Sequence, residues 1–398
     1  MEKTLNKFVI TRWNGRLLTA QFAGKEAVEL GLEEESSILG NIYIGKVKNI
    51  VKNLNSAFVD FGNGWTGYYS LTDNPVSLFA DGHSGSLKCG DEIIVQVAKE
   101  AVKTKDPVLT GNLNFTGKYA VLTAGKPLIG FSSKIGDRSW KDSVRPQLEA
   151  LTGGSCGVIV RTNAYRQEEP LLREVSVLIK ECQRVVESAR YRTCYSLLYE
   201  AEPEYLKSLR SCPAGSVEEI VTDDQDVYRN LQSYLKLYEP ESGLKLRLYT
   251  DPMISLANLY SLESVMDQAC QKRVWLKSGG YLVIEYTEAM VVIDVNTGKY
   301  SGKKNLADTI RMINLEAAAE IGRQMRLRNL SGIIMVDFID MKEDSDKTLL
   351  MDTLRELVRK DPVKTTVVDM TGLNLVEITR KKEKRPLWEQ LYKTEKEK

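Results

Sequence analysis

A single histidine, His83, removes most imidazole chemistry from consideration. It stands in a Gly- and Ser-rich turn, ADGHSGS, and reads as a loop residue rather than a general base or a triad member. The six cysteines, Cys89, Cys156, Cys182, Cys194, Cys212 and Cys270, are scattered and form no CxxC pair. That spacing argues against an intrachain zinc knuckle and for free thiols in a reducing cytoplasm. No run approaches the roughly 18 apolar residues of a membrane span, and the opening MEKTLNKFVITRWNG lacks the apolar core of a signal peptide. The expectation is a soluble, cytoplasmic chain with no membrane partner. A strong net charge is also missing, since 55 basic residues face 54 acidic ones. Any affinity for nucleic acid must therefore come from local basic patches.

What is present is enough chain, 398 residues, for two to four compact units. Residues 5–31 alternate apolar and polar, with a hairpin signal at Asn14-Gly15. Short strand-like runs follow, NIYIGKVKNIV, SAFVDFG, GWTGYYSL and DEIIVQVAKE, separated by Gly, Asn and Asp turns, and they predict a small closed barrel. Its aromatics, Phe58, Phe61, Trp65, Tyr68 and Tyr69, are interleaved with Lys46, Lys48, Lys52, Lys99, Lys103 and Lys105. Stacking platforms beside a basic groove are how such barrels hold single-stranded nucleic acid. Phe61 and one of each adjacent aromatic pair are assigned to the barrel interior.

Farther on, KYAVLTAG and CGVIVRTNA read as strands around a helical KDSVRPQLEALTG. The second ends in Arg161-Thr162, a guanidinium beside a hydroxyl, suited to a phosphate. Glu168 to Arg190 reads as a long amphipathic helix, SVEEIVTD and LKLRLYT as short strands, and Ile254 to Lys272 as a further helix. The tail from Arg380 reads as a solvated helix or a frayed end.

The stretch from Ala289 to Met341 carries the chemistry. Two apolar runs, Met290 to Ile293 and Ile333 to Val336, each lead into an aspartate, Asp294 and Asp337. Between them Leu306, Ile310, Ile313, Ala317 and Ile321 repeat at helical spacing. Strand, crossover helix and strand make a parallel pair whose C-terminal ends meet if the strands are neighbours. Each aspartate alone could be a turn-former or a helix cap. Asp337 and Asp340 flank an apolar Phe-Ile pair, where unpaired charge is costly, and two carboxylates meeting there suit Mg²⁺ or Mn²⁺.

These motifs resemble the catalytic region of the ribonuclease E/G family of single-strand-specific endoribonucleases. The most specific pieces are GNIYIGKVKNIVKNLNSAFVDFGNGWTGY, VIVRTNA, WLKSGGYLVIEYTEAMVVIDVNTGKYSG, NLEAAAEIGRQMRLRNLSGIIMVDFIDM and LVEITRKK. The resemblance implies an α+β multi-domain fold. An RNase H-like subdomain (1–38 and 206–278) carries an inserted S1 barrel of the OB-fold type (39–118) and a 5′-sensor (119–205). A DNase I-like α/β catalytic domain follows (279–385), then a charged tail (386–398).

By the same resemblance Asp294 and Asp337 are the metal-binding carboxylates and Asn296 the amide that assists them, in a Mg²⁺-dependent hydrolysis leaving 5′-phosphate and 3′-hydroxyl ends. Phe58, Tyr68 and Lys105 match the positions that clamp the RNA strand, with Tyr68 where the family usually has Phe. Arg161, Thr162 and Lys364 match the pocket that senses a 5′-monophosphate. Asp340 is expected to be structural. The chain departs from the family pattern in two places. RPLWEQLYKTEKEK stands where major members have a Cys-Pro-x-Cys zinc segment, so no structural zinc is expected and a homodimer must use another surface. Ser132-Ser133 replaces a basic pair of the sensor, which puts strict 5′-monophosphate dependence in question. The alternative function is a non-catalytic S1-type RNA-binding or ribosome-associated protein, and a DNA nuclease is a third reading.

Overall fold

The computed structural model describes residues 6–33, 37–101, 106–125, 127–212, 215–238, 243–298 and 306–392. It divides into two compact units, one of residues 34–211 and one that joins 1–33 to 212–398. Among the described residues no helix is long and apolar enough to cross a membrane.

The chain opens with a meander of β1 (Lys7–Trp13), β2 (Arg16–Ala23) and β3 (Glu26–Leu32). Its first turn is the Asn14-Gly15 pair, with φ of 48° and 81°. Both values lie in the left-handed region that a two-residue hairpin requires.

In the 34–211 unit, β4 (Ile42–Val51), β5 (Ser56–Asp60), β6 (Thr66–Ser70), β7 (Glu92–Lys99) and β8 (Val108–Thr110) form a closed barrel. Strand β4 pairs with both β5 and β7, β6 runs parallel to β8, and β8 returns to β7. Alternation along the strands sends Val47, Val59, Phe61, Tyr69 and Val95 into the barrel core, while Phe58 and Tyr68 stay half-exposed.

Beside it, β9 (Asn114–Thr116), β10 (Ala120–Thr123), β11 (Ile129–Phe131) and β12 (Gly157–Val160) form a small sheet. It packs on α1 (Arg138–Thr152) and α2 (Glu168–Ser188) through Leu122, Val158, Val144 and Val175. Strands β9 and β11 are three residues each, too short to show an alternation in sequence. Strand β13 (Leu197–Tyr199) pairs with β4, and α3 (Glu204–Ser211) ends the unit.

The other unit resumes with β14 (Glu219–Thr222), α4 (Gln225–Tyr238) and β15 (Lys245–Leu248), which extend the opening meander to the order β15-β14-β1-β2-β3. The single helix expected from Ile254 to Lys272 is instead two, α5 (Leu256–Leu259) and α6 (Leu262–Cys270). The chain turns between them at Ser261, where φ is 49°, a left-handed residue that no continuous α-helix accommodates.

A second sheet of this unit contains β16 (Arg273–Trp275), β17 (Tyr281–Tyr286) and β18 (Met290–Asn296). After α7 (Leu306–Leu327) come β19 (Gly332–Asp337), α8 (Asp344–Arg359), β20 (Thr365–Met370), β21 (Leu375–Arg380) and α9 (Leu387–Tyr392). The strand order is β16-β17-β18-β19-β21-β20. Helices α7 and α8 cover one face, with Ile313, Ala317, Ile321 and Leu350 against Ile284, Ile293, Ile334 and Val336. The α7 stripe starts later than its periodicity predicts. Leu306 is 71% exposed, so the first turn lies outside the apolar core.

The stretch after Arg380 is not wholly solvated. Leu387 is buried, the Arg16 guanidinium donates to the Gln390 carbonyl (2.9 Å), and Trp388 packs on Tyr286. Arg380 itself is 4% exposed and so is Asp361. The guanidinium donates from Nε to Asp361 Oδ2 (2.7 Å) and from Nη1 to Asn329 Oδ1 (2.9 Å) and the Leu330 carbonyl (3.0 Å). Thr365 Oγ1 donates to the same carboxylate (2.9 Å). A buried pair with its remaining hydrogen-bonding capacity met is costly to break from one side. Arg380→Ala is expected to lower the unfolding free energy by about 3–5 kcal/mol. Urea unfolding followed by circular dichroism measures this, and an unchanged midpoint contradicts it.

Candidate active site

Strand β18 runs parallel to β19, with Met290 opposite Ile333 and so on up to Asp294 opposite Asp337. Adjacent strands lie about 4.8 Å apart, and directly paired residues point to one side. Side chains alternate, so Ile293, Val295 and Val336 bury into the helical layer, while Asp294, Asn296 and Asp337 stand on the opposite, open face. The expectation left open by spacing, that the two strands are neighbours, is thereby answered.

Asn296 Nδ2 donates to Asp294 Oδ2 at 2.7 Å, which fixes that carboxylate's orientation. The Asp337 carboxyl is pushed above the usual carboxylate range, first by partial burial and then by the charges of Asp294 and Asp340. Asp340 is tied to the β20–β21 turn, where Asn374 Nδ2 donates to it (3.1 Å). It thus adds negative field while being held by another group.

Two residues of α7 set the loops around this pair. Asn314 is fully buried; its Nδ2 donates to the Ile339 carbonyl (2.8 Å) and its Oδ1 accepts from the Ile339 amide (3.2 Å). That bracket holds the turn after Asp337. The Glu316 carboxylate accepts from the amides of Lys277 (2.7 Å) and Ser278 (3.2 Å), fixing the β16–β17 turn. In that turn the backbones approach closely. A Cβ on Gly298, whose φ is 61°, would lie 2.2 Å from the Gly279 carbonyl oxygen. Reasoning from sequence missed both α7 residues. The available signal was an Asn next to the buried stripe, where an amide has to find backbone partners.

Among the described residues no three His, Cys, Asp or Glu side chains gather into a metal-binding group. The donor set is a carboxylate pair with an amide. Its chemistry suits a hard divalent cation that keeps several waters.

In the other unit, Phe58 and Tyr68 are directly paired across β5 and β6, their ring centroids 6.2 Å apart and nearly perpendicular. The Tyr68 amide donates to the Pro107 carbonyl (2.8 Å). Lys103 and Lys105 lie outside the described residues. Of the other lysines, Lys48 is paired with Asp60 (2.9 Å), and Lys46, Lys52 and Lys99 are exposed.

Arg161 and Thr162 follow β12 directly. Arg161 Nη1 donates to the Gly117 carbonyl (2.6 Å), and Thr162 Oγ1 is 2.9 Å from Ser132 Oγ. One of the serines that replace the basic pair is therefore bonded to a predicted sensor residue. The turn at Gly117 is set by Glu174 on α2, a buried carboxylate accepting from the amides of Lys118 (2.7 Å), Tyr119 (2.7 Å) and Ala120 (2.9 Å). Burial raises its carboxyl, against the pull of those three amides. Lys364 belongs to the other unit; its side chain is exposed, and its carbonyl accepts from the Lys381 amide (3.0 Å).

The sequence pattern of the Ribonuclease E/G family matches residues 114–383. The chain belongs to this family. It is 33% identical over 369 residues to Ribonuclease G of Escherichia coli, covering 89% of this chain and 75% of that one. Against Ribonuclease G of Haemophilus influenzae the identity is 32%, over 90% of this chain and 76% of the relative. Against Ribonuclease E of Nostoc sp. it is 31%, over 94% of this chain and 55% of the relative, so the chain spans little more than half of that protein.

The charge crowding at Asp337 has a thermodynamic sign. A carboxyl raised on folding contributes stability below its unfolded pKa, about 3.9, and loses it as pH rises through the folded value. The ionised pair thus opposes folding at pH 7 in the absence of a cation. Asp337→Asn is expected to raise the melting temperature at pH 7 in chelator, with the gain disappearing at pH 3. A lower melting temperature at pH 7 contradicts this.

Proposed function

We propose that this chain is a single-strand-specific endoribonuclease of RNA processing and decay. It hydrolyses phosphodiesters to leave 5′-phosphate and 3′-hydroxyl ends. The observation that carries the reading is the register of Asp294 with Asp337 on the open face of a six-stranded sheet, together with family membership. In this reading residues 1–38 and 206–278 form an RNase H-like subdomain, 39–118 an S1 barrel, 119–205 a 5′-sensor, and 279–385 a DNase I-like catalytic domain.

Asp294 and Asp337 would hold Mg²⁺ or Mn²⁺, which when bound supplies charge stabilisation at a phosphate oxygen and acidifies water. The chain's own residues do the positioning. The Asn296 amide holds the Asp294 carboxylate. Asn314 and Glu316 fix the loops on either side, so the acids are placed before substrate arrives. Water oxygen bonds to phosphorus as the bond to the 3′-oxygen breaks, and the departing oxygen takes a proton. The 2′-hydroxyl is not consumed, consistent with the 3′-hydroxyl product.

Phe58 and Tyr68 stack unpaired bases, which excludes a paired strand, and Lys105 contacts the backbone. Arg161 and Thr162 bind a terminal 5′-phosphate, and Ser132 in place of a basic residue makes that preference modest. The substrate is single-stranded RNA.

The test uses a 5′-monophosphorylated, unstructured RNA with and without Mg²⁺. Wild type is expected to cleave only with the cation, and Asp294→Asn to lose at least about 100-fold in rate, the scale of removing one preorganised electrostatic contact. Equal cleavage by that variant, or binding without any cleavage, favours the S1-type RNA-binding protein instead. A deoxy strand of the same sequence separates ribonuclease from DNA nuclease. Replacing the 5′-monophosphate by a 5′-hydroxyl is expected to reduce kcat/KM, and Arg161→Ala to remove that difference. Persistence of the difference in Arg161→Ala overturns the sensor assignment.

A further inference from the structure

The open face that carries the acidic pair continues past it to the edge of the sheet. The register runs in one row from Arg273 on β16 to Val283, Asp294 and Asp337. A second row, two residues along, runs from Trp275 to Tyr281 and Asn296. Paired residues and their second neighbours share a side of the sheet, so Arg273, Trp275 and Tyr281 lie on the face of Asp294 and Asp337. Three of the first row's four positions, Arg273, Asp294 and Asp337, are charged, and Arg273 stands on β16, the strand at the sheet's edge.

Arg273, Trp275 and Tyr281 form a compact group. The Trp275 and Tyr281 ring centroids are 5.2 Å apart, and the Arg273 guanidinium lies 4.6 Å from the centre of Tyr281 and 5.7 Å from that of Trp275. Trp275 is 62% exposed, too much open indole for a residue whose only task is cross-strand packing. A groove of about 500 Å³ lies against it, lined by Gln271, Lys272, Arg273, Trp275 and Val283. Lys272 is paired with Glu285, whereas Arg273 forms no ion pair among the described residues. A cation packed on aromatic faces keeps its N–H edges available to a phosphate.

We propose that Arg273, Trp275 and Tyr281 form a nucleotide-stacking subsite. In it a base of single-stranded RNA lies on Trp275 and Arg273 meets its backbone phosphate, one or two nucleotides from the scissile bond. The proposal rests on the RNA-cleaving reading of the acidic pair. Charge and position choose the occupant. The group is cationic and aromatic beside a pair of acids, and an RNA strand lying on those acids runs over this edge with its bases unpaired. Two strand spacings, about 10 Å, separate β16 from β18, a gap that a stacked base and its sugar-phosphate bridge.

The test measures binding of a fluorescent single-stranded RNA by anisotropy in chelator, where no cleavage occurs. Wild type, Trp275→Ala, Trp275→Phe and Arg273→Met are compared, with melting curves to establish folding. Trp275→Ala is expected to weaken binding roughly 5- to 150-fold, the loss of one base–aromatic stack, and Trp275→Phe to recover most of it. An abasic residue moved along the strand should reproduce that loss at one position and make Trp275→Ala silent there. Arg273→Met should flatten the salt dependence of binding. A folded Trp275→Ala that binds as wild type does, or one whose loss is the same whichever base is missing, overturns the subsite. These readouts do not use turnover. Tight, Trp275-dependent binding by a wild type that fails to cleave in Mg²⁺ would retain the subsite and reject the nuclease.

Discussion

Two like charges held side by side across a parallel strand pair are the constraint on which the larger unit depends. Neighbouring strands fix their residues about 4.8 Å apart, and Asp294 faces Asp337 at that spacing. Nothing in the apolar layer beneath rewards the juxtaposition. The backbone ladder and the crossover helix impose it, and the raised Asp337 carboxyl records the strain. A fold that tolerates such repulsion at neutral pH has its compensation elsewhere. Here that lies in the helical layer, where Ile293, Val336, Ile313 and Ile321 are fully buried.

Helix α7 serves both requirements at once. Its apolar stripe, with two adjacent alanines at 317 and 318, packs tightly on the sheet. Its polar residues Asn314 and Glu316 bond to backbone at the two loops that flank the acids. Toward its other end, Arg323 donates to the Ala27 carbonyl (2.7 Å), and buried Arg328 donates to the Gln271 carbonyl (2.7 Å). Burying a guanidinium is expensive unless its donors are met, so each of these bonds also fixes the helix against the opening sheet and α6. The acids are therefore placed by a helix that is itself anchored from its middle to its C-terminal end, a condition for preorganised chemistry.

Much of this was legible from sequence for a simple reason: strong periodicity survives tertiary context. The barrel strands and the helix between the two aspartates carry a period of two or 3.6, and the two runs ending in aspartate are short, wholly apolar and closed by a carboxylate. Phe61 and one of the Tyr68-Tyr69 pair were assigned to the interior from sequence, and the fold makes that one Tyr69. What was illegible lacked a period. Strand β16 is three residues long, and β9 and β11 are no longer; such strands exist because a neighbour offers them a ladder. The break at Ser261 is a single backbone angle in a continuous helical pattern. Arg380 and Leu387 lie in a run of charge that reads as solvated, and only the fold supplies Asp361 as a partner. The hydrogen-bonding roles of Asn314 and Glu316 were hidden because they act through backbone amides and carbonyls, which carry no identity in sequence.

The same asymmetry appears around Arg161. Its guanidinium is directed by the Gly117 carbonyl, in a turn whose three following amides converge on Glu174. Only glycine fits there, since a Cβ would lie 2.3 Å from that carboxylate. An Arg-Thr pair at a strand end is visible in sequence, but the buried acid on α2 that shapes its surroundings is separated from Gly117 by α1 and β12. In both units, then, the residues that would meet RNA stand at strand ends or on exposed faces. Around the acidic pair and around Arg161 the adjoining loops are held one layer down, by helix-borne Asn or Glu side chains bonded to backbone. The exposed residues can be named from motifs. The layer beneath, which decides whether those motifs have the geometry to act, becomes visible only when backbone donors and acceptors are followed to their partners.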